Sequence, residues 1–268
     1  MSEKRSQGSG SSEIKAVSST LELILTLEQE GEKTATDLAE ILDRSVSSVH
    51  SHLKTLERQG FIVQNGYKYR PGLRFFEIGE KVRRGYVDIY QSGAEVADKL
   101  AAETDEFVWL ATEEQNKSVY IYKTSGEKGI ESGAYQLGSR WPLHTTAAGK
   151  AILSQKDDEM IRELIDQHGL PATTENTITD RSELFDELET VRAEGVAFDD
   201  EESAVGLRAV SAPVEGFDGY IGAVAISGPV SRMQESRFRR EIPERLRKAS
   251  NIISIKYRNG KGVKEIND

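Results

Sequence analysis

Three groups of residues carry side chains that could do chemistry. The first is Ser47, Ser48, Ser51 and Thr55, with Lys54 and Arg58 beside them. At helical spacing these hydroxyls and cations share one face, and Val46, Val49, Leu53 and Leu56 take the other. A core has no use for the polar face, whereas the base edges and phosphates of a nucleic acid do. The second group lies in Leu143-His144-Thr145-Thr146-Ala147-Ala148-Gly149-Lys150-Ala151-Ile152-Leu153. Thr145 or Thr146 would cap a helix there. The small residues of its first turn would leave backbone amides open to an anion or carboxylate, unless they serve only close helix packing. The third group is His144 with Asp199-Asp200-Glu201-Glu202, a donor set for a metal or for acid–base work. Adjacent acids on a strand point to opposite faces, and HxxxH, GxSxG and P-loop patterns are missing, so no catalytic residue, metal or cofactor is expected. His50, His52 and His168 fall on helices without an evident partner and read as surface residues.

The first group needs a frame to present it. Leu38, Ile41 and Leu42 set a short helix capped by Thr34, whose hydroxyl can accept from the Asp37 amide. Ser45 caps the next helix, and Gly60 closes it as a left-handed residue. With only Asp43 and Arg44 between them, the two helices must cross steeply, as when a second helix is pushed into a DNA major groove. Phe61-Ile62-Val63 and Tyr67-Lys68-Tyr69-Arg70 flank Asn65-Gly66, the φ > 0 pair of a type I′ hairpin turn. The pattern is a helix-turn-helix with a wing, and Lys68 and Arg70 are placed to touch phosphate. A three-helix scaffold with solvated serines is the alternative. Ile14, Val17, Leu21, Ile24 and Leu25 predict a third helix that packs on these two and ends near Gly31.

The 268 residues are 37% apolar, enough for one large or two ordinary domains. There is no cysteine, which excludes disulfides, thiolate nucleophiles and Cys-rich zinc sites. The sequence has neither a signal-peptide core at MSEKRSQGSGSSE nor an apolar run long enough to span a bilayer, so a soluble cytoplasmic protein is expected. The net charge of −10 is unevenly spread: residues 1–75 hold ten Lys+Arg against ten Asp+Glu, and residues 76–268 hold 25 against 35. A neutral head on an acidic body can still bind phosphate locally, and the acidity suggests a salt-adapted host.

In chain order, residues 1–12 predict a Gly/Ser-rich disordered tail, and Pro71-Gly72 breaks the chain. Leu73, Phe76, Val82 and Tyr86 follow on an amphipathic helix interrupted by Gly79 and carrying Lys81, Arg83 and Arg84. It either offers its apolar stripe to a second copy or packs on its own C-terminal domain. A helix from about Gly93 to Glu103 leads to strands at Phe107 to Thr112 and Ser118 to Tyr122, joined by Glu113 to Lys117, and then to an aromatic-bearing loop from Ser132 to Pro142. Helices are expected at Asp157 to His168 and, with Leu184, Leu188 and Val191 in period, at Asp180 to Glu194. Beyond Gly195, strand-like runs turn at Glu215 to Gly219. Ile242, Leu246, Ala249, Ile252 and Ile253 predict a last helix to Gly260. Antiparallel strands with helices on one side describe an α+β sensor-type domain.

Over nearly its whole length the chain resembles the IclR-type transcriptional regulators. The winged helix, the linker helix, LHTTAAGKAIL and GVAFDDEES…GLRAVSAPV…GYIGAVAISGP occur in the order and spacing of that family. The resemblance implies an N-terminal winged helix-turn-helix, a linker helix and a C-terminal GAF-like effector-binding domain. It also implies a small-metabolite effector, often a carboxylic acid or an aromatic, and DNA binding as a homodimer or dimer of dimers. The family's pocket carries over to Ala147, Ala148 and Gly149 at the helix start, Asp199 after a short strand, Leu207 and Ala209 on the next, and Ala225 and Ser227 before Gly228. Some members have a polar side chain at Ala209 and a serine at Ala225. This chain lacks both, which points to a larger or less polar ligand. On the DNA side Ser47, Ser48 and Ser51 should reach base edges, with Ser45 and Thr55 alongside and Arg44, Lys54, Lys68 and Arg70 on phosphates.

The expected division is 1–12 tail, 13–71 DNA-binding domain, 72–92 linker helix, 93–262 effector domain and 263–268 tail. The expected activity is sequence-specific binding of double-stranded DNA at a palindromic operator, modulated by an effector through the linker helix. No enzyme activity and no membrane partner are expected; a winged-helix protein-interaction adaptor is the alternative.

Overall fold

The computed structural model describes residues 14–85, 87–127, 129, 135–216 and 220–264. The expected tail 1–12, Tyr86, parts 132–134 and 217–219 of two expected loops, and residues 265–268 lie outside the described residues. The chain forms two compact units that divide between Gly85 and Tyr86.

The first unit holds α1 (Lys15–Glu30), β1 (Lys33–Thr34), α2 (Ala35–Ile41), α3 (Val46–Arg58), β2 (Ile62–Asn65), β3 (Lys68–Pro71) and α4 (Arg74–Gly85). The Thr34 hydroxyl accepts from the Asp37 amide at 3.2 Å, and the Thr34 amide donates to the Asp37 carboxylate at 2.9 Å. These bonds hold the Asp37 carboxyl below its usual range, the Thr34 amide contributing most. Ser45 caps α3 by accepting from the Ser48 amide at 3.2 Å. The turn between α2 and α3 runs over Leu42–Ser45, longer than the two residues expected, with Asp43 left-handed at φ 50°.

Leu23, Leu27, Leu38, Val49, Leu53, Leu56, Ile62 and Tyr69 make this unit's core. Three expectations for that core are corrected. Ile14, Val17, Leu21 and Leu25 are exposed, so α1 turns the Leu23/Leu27 stripe inward instead. Ile41 and Val46 are also exposed, whereas Leu42 in the turn between them packs against the core. The wing turn is centred on Gly66-Tyr67, since Asn65 still pairs with Lys68; only Gly66 has positive φ, at 61°. A glycine at the first central position is the requirement of a type II′ hairpin. The wing also gains a third strand that the sequence did not predict, β1 pairing β3 in the order β1-β3-β2.

The second unit holds α5 (Val87–Thr104), β4 (Phe107–Glu114), β5 (Lys117–Ser125), β6 (Arg140–Pro142), α6 (Ala147–Leu153), α7 (Asp158–His168), α8 (Arg181–Glu194), β7 (Ala197–Asp200), β8 (Leu207–Glu215), β9 (Tyr220–Pro229) and α9 (Ile242–Lys264). A 3₁₀ turn at Leu143–Thr145 leads into α6. The six strands form one antiparallel sheet in the order β6-β5-β4-β9-β8-β7. The fold is α+β and GAF-like, with one correction: helices cover both faces of the sheet. Ala97, Leu100 and Ala101 of α5 and Ile242, Leu246 and Ile253 of α9 pack with Val108, Leu110, Val210 and Ile226. Ala148 and Ile152 of α6, Ile161 of α7 and Leu188 of α8 pack with Phe107, Trp109, Ala197 and Ala225. The sets alternate along each strand, as the pleat requires. α5 starts at Val87, earlier than Gly93, and α9 runs past Gly260. No described helix is long and apolar enough to cross a membrane.

Candidate nucleic-acid and effector sites

On the polar side of α3, Ser47, Ser51, Lys54 and Thr55 are exposed and Ser48 is half-buried. The Ser51 hydroxyl donates to the Ser47 carbonyl and the Thr55 hydroxyl to the Ser51 carbonyl, both at 3.0 Å. Their protons are thus engaged within the helix, and their lone pairs face outward. Lys68 and Arg70 project from β3 on its exposed side, opposite buried Tyr69. Arg70 Nε also lies 3.4 Å from Glu32. Arg44 takes a different place from the one expected: its guanidinium bonds Ser19 and Glu22 of α1, bracing the turn before α3. Ser45 is likewise used as a cap. His52 is no free surface residue, because its Nδ1 lies 2.8 Å from the Thr20 hydroxyl. His168 lies 3.5 Å from Asn116, and His50 is exposed.

The sheet register assembles the residues expected to line an effector pocket. Asp199 pairs with Ala209, Ala209 with Ser227, and Ser227 with Phe107. The next row on the same face is Ala197, Ser211, Ala225 and Trp109. Leu207, two residues before Ala209, shares that face. Ala147 and Ala148 are buried in the first turn of α6, and Ala148 packs with Leu207, Ala225 and Trp109. Thr146 is the residue that caps α6, accepting from the Gly149 amide at 3.0 Å. A Cβ at Gly149 would meet the Leu143 carbonyl oxygen at 2.1 Å, so glycine here permits close packing of α6 on the preceding turn.

Asp199 is wholly buried. Its Oδ1 accepts from the amides of Glu202 at 2.8 Å and Ser203 at 3.2 Å. Its Oδ2 accepts from the Ser203 hydroxyl at 2.5 Å, and the Tyr135 hydroxyl lies 3.2 Å from the same atom and 2.6 Å from Ser203 Oγ. Burial raises the Asp199 carboxyl above its usual range, against the opposing effect of the Ser203 bonds and the Lys150 charge. The Tyr135 ring packs against Trp109, Tyr120 and Trp141 at centroid separations of 5.8, 5.0 and 5.2 Å. At the other end of this cluster the Trp109 indole N–H donates to Ser227 Oγ at 2.9 Å. Ala148, Leu207 and Ala225 thus pack in one cluster with Trp109, Tyr120 and Tyr135, and Ser227 is bonded to Trp109 at its edge.

Two buried charged residues escaped the sequence reading. Lys150 is 1% exposed; its ammonium donates to Glu202 at 2.6 Å and Glu187 at 3.1 Å. Burial pushes the Glu202 carboxyl up to about 7 even with Lys150 beside it. Glu106, also buried, accepts from Arg232 Nε at 2.8 Å and Arg237 at 3.2 Å. A lone lysine inside the apolar run of α6 was the available signal for the first. His144 Nε2 donates to the Pro171 carbonyl at 3.0 Å, and burial lowers the pKa of its ring. Asp200 points to the opposite face from Asp199 and pairs with Arg208 at 2.6 Å. The acids of this run thus serve separate structural bonds.

A family model described as "Bacterial transcriptional regulator IclR C-terminal" matches residues 85–255, and one described as HVO_A0114 matches residues 18–78. The chain is 30% identical over 247 residues to a probable HTH-type transcriptional regulator ArcR of Halobacterium salinarum, covering 91% of this chain and 94% of that one. It is 33% identical over 226 residues to the HTH-type transcriptional regulator KdgR of Dickeya chrysanthemi, covering 82% and 73%. The crystal structure of the Thermotoga maritima IclR superposes with a TM-score of 0.76 at 29% identity, covering 91% of this chain and 99% of that one.

Proposed function

Because the chain belongs to the IclR family of transcriptional regulators, we propose that it regulates transcription as a homodimer on a two-part operator, answering to a small molecule held in its second unit. The proposed division is 13–71 for DNA binding, 72–92 as a connecting segment that takes in α4 and the start of α5, and 93–262 for effector binding. The observation that carries the DNA assignment is the hydroxyl face of α3, left exposed beside a wing whose Lys68 also points outward. Ser47, Ser48, Ser51 and Thr55 would meet base edges, and Lys54, Lys68 and Arg70 phosphates. Arg44 and Ser45 would act by positioning α3, given the bonds they already make.

The dimer rests on Leu73, Phe76 and Val82, large apolar side chains exposed on and beside α4 in the single chain. A lone chain gains nothing from exposing three such side chains, whereas a second copy would bury them. Two reading heads would then require half-sites one helical turn or a multiple apart, ~34 Å.

The effector would sit against Ala147, Ala148, Asp199, Leu207, Ala209, Ala225 and Ser227. The missing polar side chains at Ala209 and Ala225 and the neighbouring aromatic rings favour a ligand with an apolar body. To change transcription it must bind two conformations unequally. A footprint on the chain's own promoter region tests the dimer: two protected half-sites on one face of the duplex are expected, and one undivided half-site overturns it. Thermal-shift screening of the full chain against small carboxylic acids and aromatics tests the effector, because a ligand of the folded state raises its stability. A screen without any stabilising compound would count against an effector.

A further inference from the structure

We propose that the Asp199 end of the effector site is built for a phenol, that the chain's own Tyr135 is its resident occupant, and that the effector is a small phenol that takes the place of that side chain. This inference rests on the effector-binding reading of the second unit.

Asp199 offers a buried carboxylate to whatever enters. Oδ1 is filled by two backbone amides and Oδ2 by the Ser203 hydroxyl. Ser203 spends its only proton on Asp199, so the single phenolic proton of Tyr135 goes to Ser203 Oγ, the nearer acceptor at 2.6 Å. The result is a relay from phenol to serine to carboxylate. Such an end welcomes a neutral hydroxyl donor. It repels a carboxylate, whose negative charge would face Asp199 with no bonded cation between them among the described residues.

The walls fit the same chemistry. Trp109, Tyr120 and Trp141 each meet the Tyr135 ring within 6 Å of its centre, at steep interplanar angles of 55–67°. One edge-to-face contact, from Tyr120, and two tilted ones, from Trp109 and Trp141, suit one six-membered ring, and they are made by the slot rather than by a feature special to tyrosine. Tyr135 itself lies in the stretch between β5 and β6, on neither helix nor strand. The backbone bonds that hold this stretch to β5 among the described residues begin at Gly138 and Ser139, whereas Trp109 and Tyr120 stand on paired strands themselves. A free phenol reproduces the hydroxyl contact and the ring contacts together, so its binding is an exchange of one phenol for another. Exchange lowers the apparent affinity by the fraction of chains in which the slot is open. Weakening the resident must therefore sharpen the response.

The test uses the full chain with phenol as probe, and toluene and benzoate as comparisons, read by thermal midpoint and by the ¹⁹F signal of 3-fluorotyrosine placed at position 135. Phenol at millimolar concentration is expected to raise the midpoint and move the ¹⁹F signal to its solvent position; toluene and benzoate are expected to do neither. Tyr135→Phe keeps the ring packing and removes the hydroxyl anchor, so it should lower the half-saturating phenol concentration by about three- to tenfold, the loss of one hydrogen bond. Asp199→Asn should reduce the preference for phenol over toluene. If phenol leaves wild type and Tyr135→Phe unchanged while another compound of the screen stabilises the chain, the phenol site is refuted and the effector reading stands. If no compound does so, both fall. A midpoint rise with an unmoved ¹⁹F signal places the ligand elsewhere and also refutes the exchange.

Discussion

Lys150 Nζ lies 2.6 Å from Glu202 Oε1, with the lysine side chain 1% and the glutamate 9% exposed. The pair ties α6 to the segment after β7, next to the Asp199 bonds. At a pH well above 7, where Glu202 is ionised, removing Lys150 leaves a buried charge uncompensated, which typically costs about 3–5 kcal/mol, while replacing both with apolar groups is often neutral. Lys150→Met should therefore lower the unfolding free energy by about that amount, and Lys150→Met with Glu202→Leu should recover most of it. Urea denaturation of the three proteins measures this, and additive losses would argue against a coupled pair.

Glu202 also sets a pH dependence. Its carboxyl titrates at about 7 in the folded chain against 4.5 ordinarily. Between those values the folded state holds a proton that the unfolded state has lost, so stability from this group is fully present at low pH and declines as pH rises through about 7. The decline from this one group is on the order of 3 kcal/mol. Glu202→Gln cannot titrate and should flatten that part of the profile, as urea midpoints between about pH 4 and 9 would reveal.

On the nucleic-acid side, Lys68→Ala should weaken binding to every duplex and reduce the slope of log K against log salt by about one. Ser47→Ala and Ser48→Ala should instead alter sequence preference, each by less than the ~1–3 kcal/mol of a bidentate base contact. Competition assays with specific and random duplexes separate the two. Equal effects on all sequences would remove the serines from base reading.

Arg44→Ala should act through folding. It frees α1 from the turn before α3 by deleting the bonds to Ser19 and Glu22. A partly exposed charged bond of this kind contributes about 1 kcal/mol. The variant should melt its first unit earlier and lose DNA affinity in proportion, with an unchanged salt slope. A full unit lost from the slope would make Arg44 a phosphate ligand after all.

The acidic body gives a further expectation. Residues 76–268 carry 35 acids against 25 bases, so self-repulsion should be relieved by salt. The thermal midpoint should climb with added KCl, and a salt-independent midpoint would dismiss salt adaptation.

What depends on near neighbours was legible in the order of residues alone. Thr34 and Ser45 cap their helices, Val49, Leu53 and Leu56 go inward at helical period, and Tyr69 is buried between outward Lys68 and Arg70. These follow from local hydrogen bonding and from the periods 3.6 and 2. The tertiary structure decided everything that needed a choice between equivalent local patterns or a distant partner. α1 is apolar on more than one side, so periodicity could not say that Leu23 and Leu27 would be buried and Ile14, Val17, Leu21 and Leu25 left out. Whether helices cover one face of the sheet or two was equally undetermined, because strand alternation inside a doubly covered sheet has lost its polar face. Tyr135 finds Asp199 across 64 positions and Lys150 finds Glu202 across 52. Only the strand order and register fix such meetings, since no local term in the sequence encodes which buried group will stand opposite another.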